Sequence, residues 1–310
     1  MTGPLPTPDV QGRTQTPPEF TRRILILANP TASHFKTQTL SEIVTRLEAI
    51  GSKVELRLTR HVGEIAETCA HPELDVDIVA VAGGDGSINE AAQALQERAF
   101  KPALAIIPFG TANVLASELN IPSNPKDLAH LLATGKTRKL HHGLANGRPF
   151  YIMASTGFDA EVVHLLPLRL KRKLGKLAYI NTALRLAWTR RRCIFRVKTE
   201  GEMIECRMVI AANGKHYGGR YGLFQEGSVL EDGLTLVLLA KDNPVALMRY
   251  GIRLWMGTLH RAKDVQILQT KQAYIESYKP AAVQIDGEPY GGTPLEITVG
   301  RTTLPILATA

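Results

Sequence analysis

The sequence predicts an α/β plus β protein: an N-terminal domain on a doubly wound parallel sheet, then a domain of mostly antiparallel strands. Three observations carry this expectation. Short continuous apolar runs alternate with helical patterns as far as about residue 140. Beyond that point, strand patterns follow one another with one long basic helical stretch among them. The chain has 310 residues, 44% of them hydrophobic, enough for two modest cores.

Ile24 to Ala28 is an apolar, β-branched run stopped by Asn29-Pro30, and a helical pattern follows through Leu40, Ile43, Val44, Leu47 and Ile50 to Gly51. Val54 to Leu58 alternates as a strand does, and Gly63 to Ala70 is helical. Val76 to Ala82 is a buried-strand run ending in Gly83-Gly84, with a helix over Ile88 to Gln96 after it. Ala103 to Ile107 is the next buried strand, followed by a Pro-Phe-Gly turn and a helical segment from Asn113 to Leu119. In the second half, Phe150 to Ala154, Phe195 to Thr199, Arg207 to Ala212, Leu234 to Ala240, Val265 to Gln269 and Ala282 to Ile285 are predicted strands. The expected limits are a flexible, proline-rich tail over 1–20, an α/β domain over 21–141 and a β domain over 142–294. The strand-like end, 295–310, is a candidate to rejoin the first domain.

The formal charge of +8 favours an anionic partner: nucleotide phosphates, an anionic membrane or nucleic acid. No nucleic-acid-binding signature accompanies the charge, so nucleic acid is set aside. Cys69, Cys193 and Cys206 are odd in number and widely spaced, which predicts free thiols in a reducing cytoplasm rather than disulfides or a zinc site. The longest apolar runs are strand-length, well short of the roughly 20 residues that span a bilayer. The first 20 residues lack the basic start and apolar stretch of an export signal.

Three strand-to-helix turns carry the chemistry. Gly83-Gly84-Asp85-Gly86-Ser87-Ile88-Asn89 leaves a buried strand for a helix, where glycines let backbone N–H groups approach phosphate and the helix N-terminus adds partial positive charge. It matches neither the dinucleotide fingerprint nor the Walker loop. Pro108-Phe109-Gly110-Thr111-Ala112-Asn113 leaves the next buried strand in the same way, and Asn29-Pro30-Thr31-Ala32-Ser33 leaves the first. Taken singly, each loop serves equally as a helix cap, with Asp85 and Ser87 in that role. Together on one sheet edge, they suit a nucleotide.

In order and spacing these motifs, with Thr59, Glu90, Gly157-Phe158-Asp159-Ala160, Lys173 through Tyr179, Asn213-Gly214, Gly218-Gly219, Asp232-Gly233-Leu234 and Asp286-Gly287-Glu288, resemble the diacylglycerol kinase catalytic family. That family includes bacterial lipid kinases and, more distantly, sphingosine and ceramide kinases. The resemblance covers nearly all the chain from Ile24 onward. It implies a nucleotide-binding domain related to phosphofructokinases and NAD kinases, a C-terminal β-sandwich, and an active site between them using ATP and Mg²⁺ to phosphorylate a lipid hydroxyl. The nucleotide would be held by Asn29, Pro30, Thr31, Thr59, Gly83, Gly84, Asp85, Gly86, Ser87, Asn89, Gly110, Thr111 and Asn113. Asp286 or Glu288 would act as general base, with Asp85 the third catalytic candidate. A structural Mg²⁺ would take Asp232 and the carbonyls of Val229 and Leu234.

The sequence departs from the family pattern at Val114, where many members have aspartate, at Gln225 and Gly227, and at His141, where aspartate is frequent. A soluble-substrate kinase of the NAD-kinase or phosphofructokinase type, and a non-catalytic nucleotide- or lipid-binding relative, remain the alternatives. From His164 to Arg192, nine Lys or Arg residues (Arg169, Lys171, Arg172, Lys173, Lys176, Arg185, Arg190, Arg191 and Arg192) stand among leucines, Tyr179 and Trp188 without one acidic residue. Such a stretch suits a helix lying on an anionic bilayer, where the lipid substrate would be met; its plainer use is a solvated helix face. The sequence allows a homodimer and gives no sign of one.

Overall fold

The computed structural model describes residues 22–166, 176–189 and 192–309. The expected tail over 1–20 and the cations Arg169, Lys171, Arg172, Lys173, Arg190 and Arg191 lie outside the described residues.

The first half runs β1 (Arg23–Ala28), α1 (Thr37–Ala49), β2 (Lys53–Leu58), α2 (Glu64–Ala70), β3 (Ile78–Gly83), α3 (Asp85–Gln96), β4 (Ala103–Pro108), α4 (Val114–Glu118), α5 (Pro125–Thr134) and β5 (Lys136–Leu140). Strands β2, β1, β3 and β4 lie parallel in that order. The continuous apolar runs read from the sequence are strands buried on both faces. Ile24, Ile26 and Ala28 pack on α1 and α5, while Leu25 and Leu27 turn to the opposite core with α2 and α3. Helix α3 starts at Asp85, three residues before the apolar pattern does, and α5 was not foreseen: Asn124-Pro125 starts it, Asn124 Oδ1 accepting the Asp127 N–H at 2.8 Å.

The second half comprises β6 (Gly143–Ala145), β7 (Arg148–Phe150), β8 (Met153–Thr156), α6 (Phe158–Leu165), α7 (Lys176–Thr189), β9 (Phe195–Lys198), β10 (Met203–Cys206), β11 (Met208–Ala212), β12 (His216–Tyr217), β13 (Tyr221–Gly222), β14 (Leu234–Leu239), α8 (Pro244–Trp255), β15 (Val265–Thr270), β16 (Gln272–Ser277), β17 (Ala282–Ile285), β18 (Glu288–Gly292), β19 (Leu295–Val299) and β20 (Leu304–Ala308). Two six-stranded antiparallel sheets, β10-β9-β16-β19-β6-β7 and β15-β14-β11-β8-β17-β18, enclose a core that includes Phe150, Phe195, Ile275, Val283 and Leu295. The reverse face of the second sheet, through Met153, Ile210, Val237 and Leu239, joins the same apolar cluster as Leu25, Val79 and Ile88 of the first domain. One continuous core therefore fixes the two domains against each other.

Two expectations need correction. The predicted strand Phe150–Ala154 is two strands, β7 and β8, separated at Tyr151-Ile152. The end of the chain also divides: β19 belongs to the sandwich, and β20 crosses back to lie between β4 and β5. Helix α8 was missed as well, although Asn243-Pro244 marks its start as Asn124-Pro125 marks that of α5. Among the described residues no helix is long and apolar enough to cross a membrane.

Candidate active site

The carboxyl ends of β1, β3 and β4 bring the three predicted loops together. A Cβ on Gly110 would lie 2.4 Å from the Gly84 Cα, so the Gly83 and Pro108 loops touch backbone to backbone. Only glycine permits that approach. Asn113, in the left-handed conformation at φ 49°, folds its loop on itself: its Oδ1 accepts the Gly110 N–H at 2.9 Å and its Nδ2 donates to the Gly110 carbonyl at 2.8 Å. Asn29 Oδ1 accepts the Thr31 N–H at 2.9 Å in a tight Asx turn, and its Nδ2 donates to Ser87 Oγ at 3.2 Å. Ser33 and Thr111 hydroxyls meet at 2.7 Å.

The remaining residues of the predicted set are placed less centrally. Pro30 is exposed beside Thr31, and Asn89 is buried one turn into α3. Thr59 follows β2, its N–H donating to the Ala28 carbonyl at 2.9 Å; with β2 at the sheet edge, it neighbours the Asn29 loop rather than Gly83.

Asp85 begins α3 and accepts the Val114 N–H at 2.7 Å, with Asn113 and Leu115 N–H groups also directed at it. Burial raises its pKa above the ordinary carboxylate value while these donors pull the other way. Val114, the residue marked as a departure from the resembled pattern, thus meets Asp85 through its backbone N–H, and the residue is 5% exposed.

Across the cleft, Asp286 occupies the left-handed region at φ 48° and Gly287 follows at φ 80°, the geometry of a tight connection between β17 and β18. Asp286 Oδ2 accepts the Tyr151 N–H, and Oδ1 accepts the Ile152 and Met153 N–H groups, all at 2.9 Å. The break between β7 and β8 exists to present these donors. Asn213 holds the same segment from its other side, Nδ2 donating to the carbonyls of Tyr151 at 2.9 Å and His141 at 2.8 Å. Burial pushes the Asp286 carboxyl up to about 6 against those three donors, and the Asp85 carboxylate adds to the rise. Tyr151 ties the halves together, its hydroxyl donating to the Ala92 carbonyl of α3 at 3.0 Å.

Glu288 differs from both aspartates. Its side chain is 52% exposed, Arg148 Nη2 stands 3.5 Å away, and its Oε1 lies 3.9 Å from where a Cβ on Gly86 would be. The late turn therefore reaches the phosphate-loop candidate across the cleft. Behind it lies a group that sequence reasoning left without a role: Asp159, accepting from Ser155, Tyr217 and Gln284, with Gln284 Oε1 accepting the Gly287 N–H at 2.8 Å. The only advance signal was the Gly157-Phe158-Asp159 motif, because the partners come from three separate elements, β8, β12 and β17.

A family model described as the diacylglycerol kinase catalytic domain matches residues 23–145, and one described as a YegS C-terminal NAD kinase beta sandwich-like domain matches 152–308. The chain belongs to the diacylglycerol kinase family. A diacylglycerol kinase of Bacillus subtilis is 27% identical over 279 residues, covering 87% of this chain and 91% of the relative. One of Staphylococcus saprophyticus is 25% identical over 276 residues, covering 87% and 90%. The crystal structure of a diacylglycerol kinase from Bacillus anthracis str. Sterne superposes with a TM-score of 0.76 at 23% identity, covering 93% of this chain and 97% of that one, a likeness of fold.

The family's structural cation does not suit the residues present. Asp232 Oδ1 stands 3.8 Å from His141 Nδ1, its Oδ2 stands 3.9 Å from Lys271 Nζ, and the Val229 carbonyl accepts the His141 N–H at 2.8 Å. A carboxylate already facing an ammonium and an imidazole is a poor ligand for a divalent ion. No step is therefore routed through a metal at Asp232.

Proposed function

We propose that this kinase-family protein transfers the γ-phosphoryl group of ATP to a lipid hydroxyl, on diacylglycerol or a sphingoid-like acceptor, at a membrane surface. The observation that carries the proposal is the approach of Glu288 to Gly86, which sets a carboxylate from the sandwich against the glycine loops of the α/β domain. Those loops offer N–H groups and the α3 N-terminus to the nucleotide phosphates. Asp85 and Asp286, two partly desolvated carboxylates close enough to raise one another's cost of ionisation, fit a Mg²⁺ brought in with the nucleotide. That ion, held by Asp85 and Asp286, would supply positive charge to offset the negative charge developing in transfer.

Of the two carboxylates of the late turn, the exposed and loosely held Glu288 is the better supported as the group that takes the proton. A general base needs a lone pair that can reach the hydroxyl; the buried Asp286 carboxylate is fixed by three backbone donors, whereas the Glu288 side chain is more than half exposed. Asp286 orders the turn; Glu288, held only loosely by Arg148, is free to accept. The acceptor oxygen bonds to the γ-phosphorus, the bond from that phosphorus to the β,γ-bridging oxygen breaks, ADP leaves, and Glu288 takes the hydroxyl proton. The test is transfer of label from γ-labelled ATP to diacylglycerol, monoacylglycerol, sphingosine and ceramide in mixed micelles, with NAD and a sugar phosphate as soluble acceptors. A labelled lipid supports the proposal; label only in a soluble acceptor overturns it in favour of the soluble-substrate kinase.

A further inference from the structure

Helix α8 is apolar on two faces, which an ordinary surface helix is not. Ala246 and Tyr250 are buried and Leu254 packs beside them on the core, satisfying the inner face. Yet Val245, Met248, Ile252 and Trp255, spaced three, four and three residues apart, form an outer stripe, with Trp255 73% and Met248 63% exposed. Met256 continues the stripe beyond the helix. Helix α7 packs against α8 and adds Leu184 and Trp188, the latter 78% exposed. Exposed tryptophan and methionine in a contiguous patch mark a surface that something covers.

Exposed charge along the helix and the turn after it is positive, the nearest carboxylates, Asp242 and Asp264, being largely buried. Residues 244–263 contain Arg249, Arg253, Arg261 and Lys263 and no Asp or Glu. Arg185 and Arg192 stand exposed on the α7 side. Arg249 is occupied by Asp264, and Arg192 lies 3.8 Å from Asp242, but Arg253 and Arg261 border a surface depression of about 420 Å³ with Ile252, Met256, Thr258 and Arg249. Such a depression offers cationic donors to a phosphate beside an apolar wall.

We infer that the outer face of α8, with the end of α7, is a docking surface for an anionic phospholipid bilayer, its tryptophans entering the headgroup region and its arginines holding lipid phosphates. Tryptophan favours the headgroup level, and each cation near an anionic surface adds attraction. A second copy of this chain is a poorer occupant, since two-fold pairing would bring the cationic rims together. The location agrees with the chemistry: α8 abuts α7, α7 abuts α6, and α6 covers β17 and β18, whose connection carries Glu288. The inference deepens the membrane-surface part of the proposed function and rests on it. It assigns the docking face to α8, a segment outside the basic stretch that charge alone singled out.

The chain has two tryptophans, both exposed, Trp255 on the outer stripe of α8 and Trp188 on the helix packed against it, so intrinsic fluorescence reports on these two helices. The experiment adds vesicles of phosphatidylcholine mixed with phosphatidylglycerol, or of phosphatidylcholine alone, to the full chain and to Trp188→Phe, in which Trp255 is the single reporter. The expected result is a blue shift and quenching by bromine-labelled acyl chains with the anionic vesicles, weakening as salt rises. Met248→Ser with Ile252→Ser should lower partitioning about tenfold or more. Arg253→Ser with Arg261→Ser should lower it about thirtyfold at low salt, and only on anionic vesicles. Melting curves check that the variants fold, which exposure of these side chains favours. Turnover on a short-chain lipid in solution should stay near parental in all of them. Absence of that turnover in the parent would count against the kinase proposal and leave the vesicle result standing. Parental vesicle binding by the variants, or a blue shift that follows protein concentration without vesicles, would overturn the docking surface, the latter in favour of a dimer.

Discussion

The two sides of the cleft are built by different means. On the α/β side, rigidity comes from backbone against backbone: Gly110 against Gly84, Asn113 folded on its own loop, and Asp85 at the head of α3 capped by N–H groups of the neighbouring turn. On the sandwich side, side chains do the bracing: Asp286 grips Tyr151 to Met153, Asn213 grips that segment from behind, and Gln284 links the turn to Asp159. Both sides end in a carboxylate whose pKa is raised by burial, yet only the sandwich side also carries an exposed one, Glu288. A side that binds phosphate needs unobstructed N–H groups and therefore glycine. A side that takes a proton needs a carboxylate that can move while its support stays fixed.

The most damaging test of this contrast is Glu288→Gln. Turnover should fall by about 10²-fold or more, the range for loss of a general base, while nucleotide affinity and melting temperature stay near parental because the side chain is more than half exposed. Near-parental kcat would move the proton to another group and remove the distinction between the two carboxylates of the turn.

The α/β side should fail differently. In Gly110→Ala the new methyl would meet the Gly84 Cα and Asn113 Oδ1, at 2.4 and 2.6 Å, and must push the two loops apart. The expected outcome is a rise of about tenfold or more in the KM for ATP, since a displacement on the order of 1 Å is costly to positioned groups. Unchanged KM in a folded variant would show that the glycine contact is only a fold constraint.

This contrast also explains what the sequence disclosed. The glycine loops were legible because strand, loop and helix are contiguous, and period-2 and 3.6-residue patterns place them without knowledge of the rest of the chain. The partners of Asp286 were not: Tyr151 lies 135 positions away, and the break between β7 and β8 looks like one apolar strand until the donors it presents are seen. The return of the chain end to the first sheet was open in the sequence as one of two choices, but its division into β19 on the sandwich and β20 on the first sheet was not legible, since both are short apolar strands. Helices α5 and α8 were there to be found in their Asn-Pro starts, but α8 carries apolar residues on both faces and blurs the helical period.

A smaller effect separates the two buried carboxylates. The Asp286 carboxyl sits at about 6 in the folded chain against an ordinary value of 3.8, so the folded state holds that proton more tightly than the unfolded one. Its contribution favours folding at low pH and is lost as pH rises from about 4 to about 6. Asp286→Asn lacks this titration. The melting temperature of the variant minus that of the parent should therefore climb between pH 4 and pH 6 and level off above. A difference independent of pH would show that the three N–H donors, not burial, set this carboxyl.

The smallest expected effect concerns the metal. A divalent ion bound to the folded chain alone stabilises it by RT ln(1 + [L]/Kd), about 2.7 kcal/mol at a hundredfold excess over Kd, which raises the melting temperature by several degrees. At Asp232 a positive charge is already supplied by Lys271, 3.9 Å away, and the His141 ring stands beside it at 3.8 Å. Melting curves without nucleotide, in EDTA and in excess Mg²⁺, should therefore coincide to within about one degree. Lys271→Ala should cost little, because both partners are mostly exposed, 74% and 55%, and such pairs contribute roughly 0 to 1 kcal/mol. A Mg²⁺-dependent rise of several degrees is the contrary result, and its origin can be read from Asp232→Ala. If that substitution abolishes the rise, the ion belongs at Asp232 and the ammonium must swing aside to admit it; if the rise persists, the ion lies elsewhere, and Asp85 and Asp286 are the carboxylates to examine.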